Sequence, residues 1–290
     1  MALPWLNDQL AALKPKVLDD FSRTAITGAQ HALCDHENPL RLNFFSTAMR
    51  ILFEHMMDAL APVEQVVQAD WFVSEREGNV PTRAQRILFA VQGGLSSDFV
   101  KDTLGIEIAP IRQRLIKAVD NLSKHVHGRE DTIIERRDEQ DAAASRTIEA
   151  LGNFIDTYRE CRTTILDAIK DELDNATVDA LVNNAILEVD ELATHHSIEE
   201  VYVEMTSVRS IGAHFITYRA TGTIAVGLQW GSNSDVRRGD GAEVDQSFPF
   251  HCDIEVSLDD PLDLAFSETE FAVDVSSWRD GMAPDDESDS

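Results

Sequence analysis

At His195–His196 the apolar residues of this chain change period, from the three-to-four spacing of helices to the alternation of strands. Before that point they recur as stripes. Leu6, Leu10, Leu13, Val17 and Phe21 predict a helix over the first 25 residues. Phe45, Met49, Leu52, Met56 and Leu60 predict a second, from about Leu40 to its stop at Pro62. Thr82 to Gln92 reads as a short helix closed by Gly93-Gly94. Pro110 suits the first position of another, carrying Ile111, Leu115, Val119, Leu122 and Val126 and ending at Gly128. A long amphipathic helix follows from Ala142 to about Leu173, and a further one from Thr177 to Leu192.

Beyond His195 the runs around Val201–Met205, Phe215–Tyr218, Thr223–Leu228, Phe248–Val256 and Phe271–Val275 alternate and are punctuated by glycine. They predict an antiparallel meander of about five strands. The expected class is therefore α+β. An α-helical domain with a long connecting helix occupies 1–194, and a small antiparallel β module occupies 195–280. An acidic tail over 281–290 is too polar to pack and is expected to be disordered.

Charge narrows the function. Twenty-five Lys and Arg against 52 Asp and Glu give a net charge of −27, and from His195 onward 5 basic residues face 20 acidic ones. The last lysine is Lys170. Such a surface repels phosphate backbones at long range and favours a basic protein partner or cations; adaptation for solubility or salt would leave the same mark. Cys34, Cys161 and Cys252 form neither a disulfide framework nor a CxxC zinc pair. With no leader-like segment and no apolar stretch of membrane-spanning length, the expectation is a cytoplasmic protein without membrane attachment. No cofactor is expected: phosphate-loop, GxSxG and HExxH patterns are absent. A restriction-type nuclease core needs a lysine soon after its second carboxylate, which nothing after Lys170 supplies.

Four places carry candidate chemistry. Arg50 and His55 share a helix, and metal-independent ribonucleases use such residues to accept the 2′-hydroxyl proton and to steady phosphorane charge. Five residues at about 100° each separate the two side chains by roughly 140°, so they are equally readable as boundary residues flanking the apolar stripe. His125 and His127 lie in Leu122–Arg129, where the helix macrodipole alone favours basic residues, and they face nearly opposite ways on a continuing helix. His31, Cys34 and His36 match no zinc spacing, so no metal site is expected there. Between two β runs, Asp235, Arg237, Arg238, Asp240, Glu243 and Asp245 form a candidate binding loop that is also readable as a plain hairpin connection. Its carboxylates do not follow the helix–loop–helix calcium pattern.

The segments Arg41–His55 and Leu122–Arg129 together resemble helical proteins of the HEPN type. More particularly, they resemble the predicted Piwi-associating nucleases of prokaryotic defence gene clusters, to which Leu228–Asp235 and Ser247–Phe250 are also similar. The resemblance covers most of the chain. It implies an intracellular component of an antiviral defence system with a HEPN-like bundle, in which an Arg, a polar residue and a His four to six residues on form the ribonuclease motif. Arg50 and His55 match that skeleton; Ile51 stands in the polar place, a departure that bears on catalysis more than on fold. Two functions follow as expectations. One is a ribonuclease using Arg50 and His55 with help from His125 or His127, acting on RNA at a local site, with homodimerisation bringing two such sites together and partly repairing the poor geometry within one helix. The other is a non-catalytic acidic adaptor or inhibitor that binds a basic defence effector.

Overall fold

A computed structural model of the chain describes residues 4–17, 19–75, 77–126, 133–183, 185–264 and 268–281. The predicted acidic tail falls largely outside them. Two compact units divide at Arg162/Thr163. Among the described residues no helix is long and apolar enough to cross a membrane.

The first unit is helical. Helix α1 spans Pro4–Leu13 and runs into a 3-10 turn at Lys14–Lys16; α2 follows at Asp20–Cys34. The single helix expected over the first 25 residues is thus broken. Pro15 withholds an N–H from the ladder, and Asp19 opens α2 by accepting the Ser22 amide at 2.8 Å. Phe21 consequently turns out to solvent, while Leu6, Leu10, Leu13 and Val17 are buried. Helix α3 is Arg41–Leu60 and buries Phe45, Met49, Leu52, Phe53 and Met57, so Met57 takes the inward place expected of Met56.

The short α4 (Val63–Val66) leads to α5 (Arg83–Gln92), which Thr82 and Gln85 start with a reciprocal capping box. A π turn at Phe99–Thr103 precedes α6, Ile108–Val126, whose third residue is Pro110. Helix α7 runs from Arg137 to Asn183 and absorbs the start of the separate helix expected from Thr177. Its backbone departs from helical geometry at Ile169 (φ −131°, ψ 17°).

In the second unit the last part of α7 buries Ile165, Ile169, Leu173, Thr177 and Leu181, one every fourth residue. After the four-residue α8 (Leu187–Asp190) come β1 (His195–Ile211), β2 (Phe215–Trp230), α9 (Asn233–Arg238), β3 (Ala242–Ser257), β4 (Glu268–Val273) and α10 (Ser276–Gly281). The sheet is antiparallel in the order β1-β2-β3-β4. Four strands rather than five are present among the described residues, because the runs on either side of Gly222 form one strand. Gly222 lies where two backbones approach: a Cβ there would stand 1.9 Å from the Tyr202 carbonyl oxygen and 3.0 Å from the Phe250 ring. The inward face alternates through Ile216, Tyr218, Ala220, Ile224, Val226 and Leu228 on β2 and Phe248, Phe250, Cys252, Ile254 and Val256 on β3. On the other face Arg219 grips its register partner Asp253 with two hydrogen bonds, 2.6 and 2.5 Å, and Arg209 of β1 adds a third. These guanidinium contacts, Arg219 foremost, hold the Asp253 carboxyl below its ordinary range.

Burial also separates the three cysteines. Cys161 and Cys252 are fully enclosed, which pushes both thiols up to about 11, whereas Cys34 is exposed. A thiol-reactive disulfide reagent at pH 8 is expected to label one thiol per folded chain, at Cys34, and three after denaturation. A Cys34→Ser chain that still reacts rapidly when folded would contradict the burial.

Candidate functional site

The candidate residues of the helical unit sit around the middle of α3. His55 Nε2 lies 3.2 Å from Asp19 Oδ2, and the Phe21 ring stacks obliquely on the imidazole with centroids 4.6 Å apart. Asp19 therefore serves two elements, capping α2 and orienting His55. The Ser22 amide, then its hydroxyl and His55, hold the Asp19 carboxyl below its ordinary value against the opposing effect of desolvation. An anionic Asp19 only accepts, so His55 Nε2 donates to it, and Nδ1 is the nitrogen left to face other groups. The His55 side chain remains partly open to solvent.

Arg50 points elsewhere. Its Nε donates to Glu54 at 2.7 Å, one turn along α3, and the pair borders a recess of about 200 Å³ that also holds Arg83 and Arg86. Arg83 pairs with Asp120 and Arg86 with Asp58, so each of these arginines has a carboxylate neighbour. His55 does not line this recess. The helical angle between Arg50 and His55 thus leaves them on separate surfaces of the unit. His127 lies outside the described residues, and of His125 only the backbone place in α6 is described.

The β2–β3 connection is not a plain loop, for it folds into α9. Asp235 accepts from the Ser232 amide and hydroxyl at 2.9 and 2.6 Å and from Arg238 at 2.6 Å; the Ser232 contacts foremost lower its pKa. That carboxylate is committed to closing the first turn. Arg237 and Arg238 occupy the last turn, where the macrodipole favours cations, and Arg238 also lies 3.8 Å from Asp240. Glu243 and Asp245 belong to β3, opposite Gln229 and Gly227. The six residues therefore divide among a cap, a helix end and a strand. Among the described residues, no three His, Cys, Asp or Glu side chains are grouped to hold a metal ion.

One polar cluster lies apart from the candidate residues of the sequence. Arg41, at the start of α3, is 2% exposed, and all five of its N–H groups find acceptors. Nε donates to Gln140 Oε1 (2.6 Å), Nη1 to the Leu33 carbonyl and to His36 Nδ1 (both 3.2 Å), and Nη2 to the Arg137 carbonyl (3.4 Å) and Asp141 Oδ1 (2.6 Å). Since a guanidinium only donates, His36 Nδ1 accepts. The His36 pKa is accordingly lowered, by desolvation first and then by neighbouring cations that include Arg41. The available signal was electrostatic: a cation in the first turn of a helix opposes the macrodipole and needs a tertiary reason.

The chain is thus an α+β protein whose helical unit carries the candidate histidine and arginine sites. Compared with known families, residues 14–153 match a family model described as predicted pPIWI-associating nuclease, and residues 158–279 match a second model of the same description. Together the two matches support a nuclease-like defence family for this chain. No curated protein and no solved structure matches it.

Proposed function

We propose that the protein is a metal-independent ribonuclease of the HEPN type, acting in antiviral defence. The observation that carries this reading is the His55–Asp19 pair, a solvent-reachable imidazole oriented by a carboxylate. With Nε2 turned to Asp19, Nδ1 takes the proton of an RNA 2′-hydroxyl as the 2′-oxygen attacks phosphorus. The P–O5′ bond breaks, giving a 2′,3′-cyclic phosphate and a 5′-hydroxyl end. Within one chain Arg50 and His55 face separate surfaces, so the Arg50 that steadies phosphorane charge, its Nε on Glu54, is that of a second copy in a homodimer. His125 or His127 protonates the departing 5′-oxygen, and a homodimer supplies the second set of groups.

Cleavage of structured and single-stranded RNA in chelator tests this directly. His55→Ala is expected to lower the rate about 10²–10⁴-fold, the usual share of a general base. Asp19→Asn keeps an N-cap-competent side chain and is expected to lower it without unfolding α2. Equal background cleavage by the parent and His55→Ala would sink the proposal.

The charge of −27 favours a second reading, a non-catalytic acidic adaptor or inhibitor of a basic effector. On that reading a basic protein is recovered with the chain from its host and released at high salt. Failure to recover any salt-sensitive partner counts against it.

A further inference from the structure

A second recess of the helical unit lies away from both Arg50 and His55. It is a cavity of about 560 Å³ bordered by α3, α6, the segment before α7 and the early turns of α7. That volume is typical of small-molecule sites. Its rim carries Arg114 and Lys117 of α6 and Arg146 of α7, against one carboxylate, Glu149. In a chain with two acids for every base, most described arginines and lysines have found a carboxylate, as at Arg83–Asp120 and Arg86–Asp58. Arg114, Lys117 and Arg146 have no ion pair among the described residues, and all three border this one cavity.

A second observation is independent of the charges. Ser46 of α3 lines the same recess, is fully buried, and its Oγ has no hydrogen-bond partner among the described residues. A helical serine normally returns its hydroxyl to the carbonyl four residues back, as Thr47 does to Asn43 at 2.9 Å. This orphan hydroxyl is a local destabilising feature behind the cavity wall. Asn121 and Asn153 add amides to the wall, and its exposed lining is mainly apolar.

We infer that this recess binds a phosphorylated small molecule with an apolar or aromatic body, the class that includes nucleotides. The three cations take the phosphate, the walls pack the body, and Asn121 and Asn153 fix polar edges. A concave patch of positive charge within a strongly negative surface concentrates such an anion locally while long polyanions are repelled from the rest. The inference stands apart from the ribonuclease reading, since it uses neither His55 nor Arg50.

Isothermal titration of the full chain with AMP, ATP, glucose 6-phosphate and inorganic phosphate tests it. One saturable site is expected for AMP or ATP, weakened about tenfold by each of Arg114→Ala, Lys117→Ala and Arg146→Ala, the loss of one charge-assisted contact. Arg112→Ala, on the same helix but outside the recess, is expected to bind like the parent. Ser46→Ala is expected to melt at the same or a higher temperature without ligand, since it removes an unpartnered buried hydroxyl. No saturable binding of either nucleotide would overturn the inference, as would equal weakening by Arg112→Ala. Glucose 6-phosphate or inorganic phosphate binding as tightly as AMP would overturn the apolar-body assignment.

Discussion

Arg41→Met is expected to destabilise the helical unit by about 3–5 kcal/mol, the range for removing one partner of a buried ion pair. The cause is what remains behind. Asp141, 13% exposed, keeps its charge without a counterion, and Gln140 Oε1 and the Leu33 carbonyl lose their donor. For a unit of this size the melting temperature should fall by roughly 6–20 °C. Arg41→Lys is expected to fall between parent and Met, because a single ammonium has three donors and cannot span five acceptors. In Arg41→Met/Asp141→Leu the abandoned charge is gone, so part of the loss should return. A loss below about 1 kcal/mol in Arg41→Met, measured by chemical denaturation, would mean that the guanidinium is not the tie between α2, α3 and α7 described above.

Adding one methyl group at Gly222 is expected to have an effect of similar size in the sheet. The Cβ of Gly222→Ala would meet the Tyr202 carbonyl oxygen at 1.9 Å, and a backbone oxygen cannot swing aside as a side chain can. Relief requires β1 to lift from β2 beside the register shift between Val203 and Met205. A cost of about 3 kcal/mol or more follows, at the upper end of overpacking effects. Two comparisons fix the cause. Gly227→Ala meets only side-chain ends, Glu199 Oε1 and Ser197 Oγ at 3.0 Å, and should cost far less. Gly28→Ala, in open space on α2, should stabilise by about 0.5–1 kcal/mol through helix propensity. Near-equal effects at Gly222 and Gly227 would contradict the close strand approach.

These residues also show what a sequence discloses. The switch to strands at His195 was readable because periodicity is local, and β1 begins at that residue. Helix α3 was readable because a strong stripe ended at a proline. Gly222 was misread as punctuation because a glycine at a turn and a glycine under a neighbouring backbone look alike until the partner strand is known. The Lys14-Pro15-Lys16 break was missed because the apolar spacing continues across it to Val17. Nothing in the sequence linked Arg41 to Asp141, 100 positions away, or His55 to Asp19, 36 positions away. The recess with Arg114, Lys117 and Arg146 was equally hidden, since three elements assemble it. Spacing along α3 did foretell that Arg50 and His55 diverge, and their environments show it.

In the sheet, each strand pairs with the strand before it in sequence. Assembly can therefore proceed as a zipper, beginning at the tight β1–β2 link, where the Gly212 amide donates to the Phe215 carbonyl at 2.8 Å. Each later strand docks onto an edge already formed by its neighbour in sequence, which keeps contact order low for a β structure and speeds folding. During synthesis the strands emerge in the order in which they dock. An unpaired β2 edge thus waits only for β3, which limits the time available for intermolecular strand pairing before the sheet is complete.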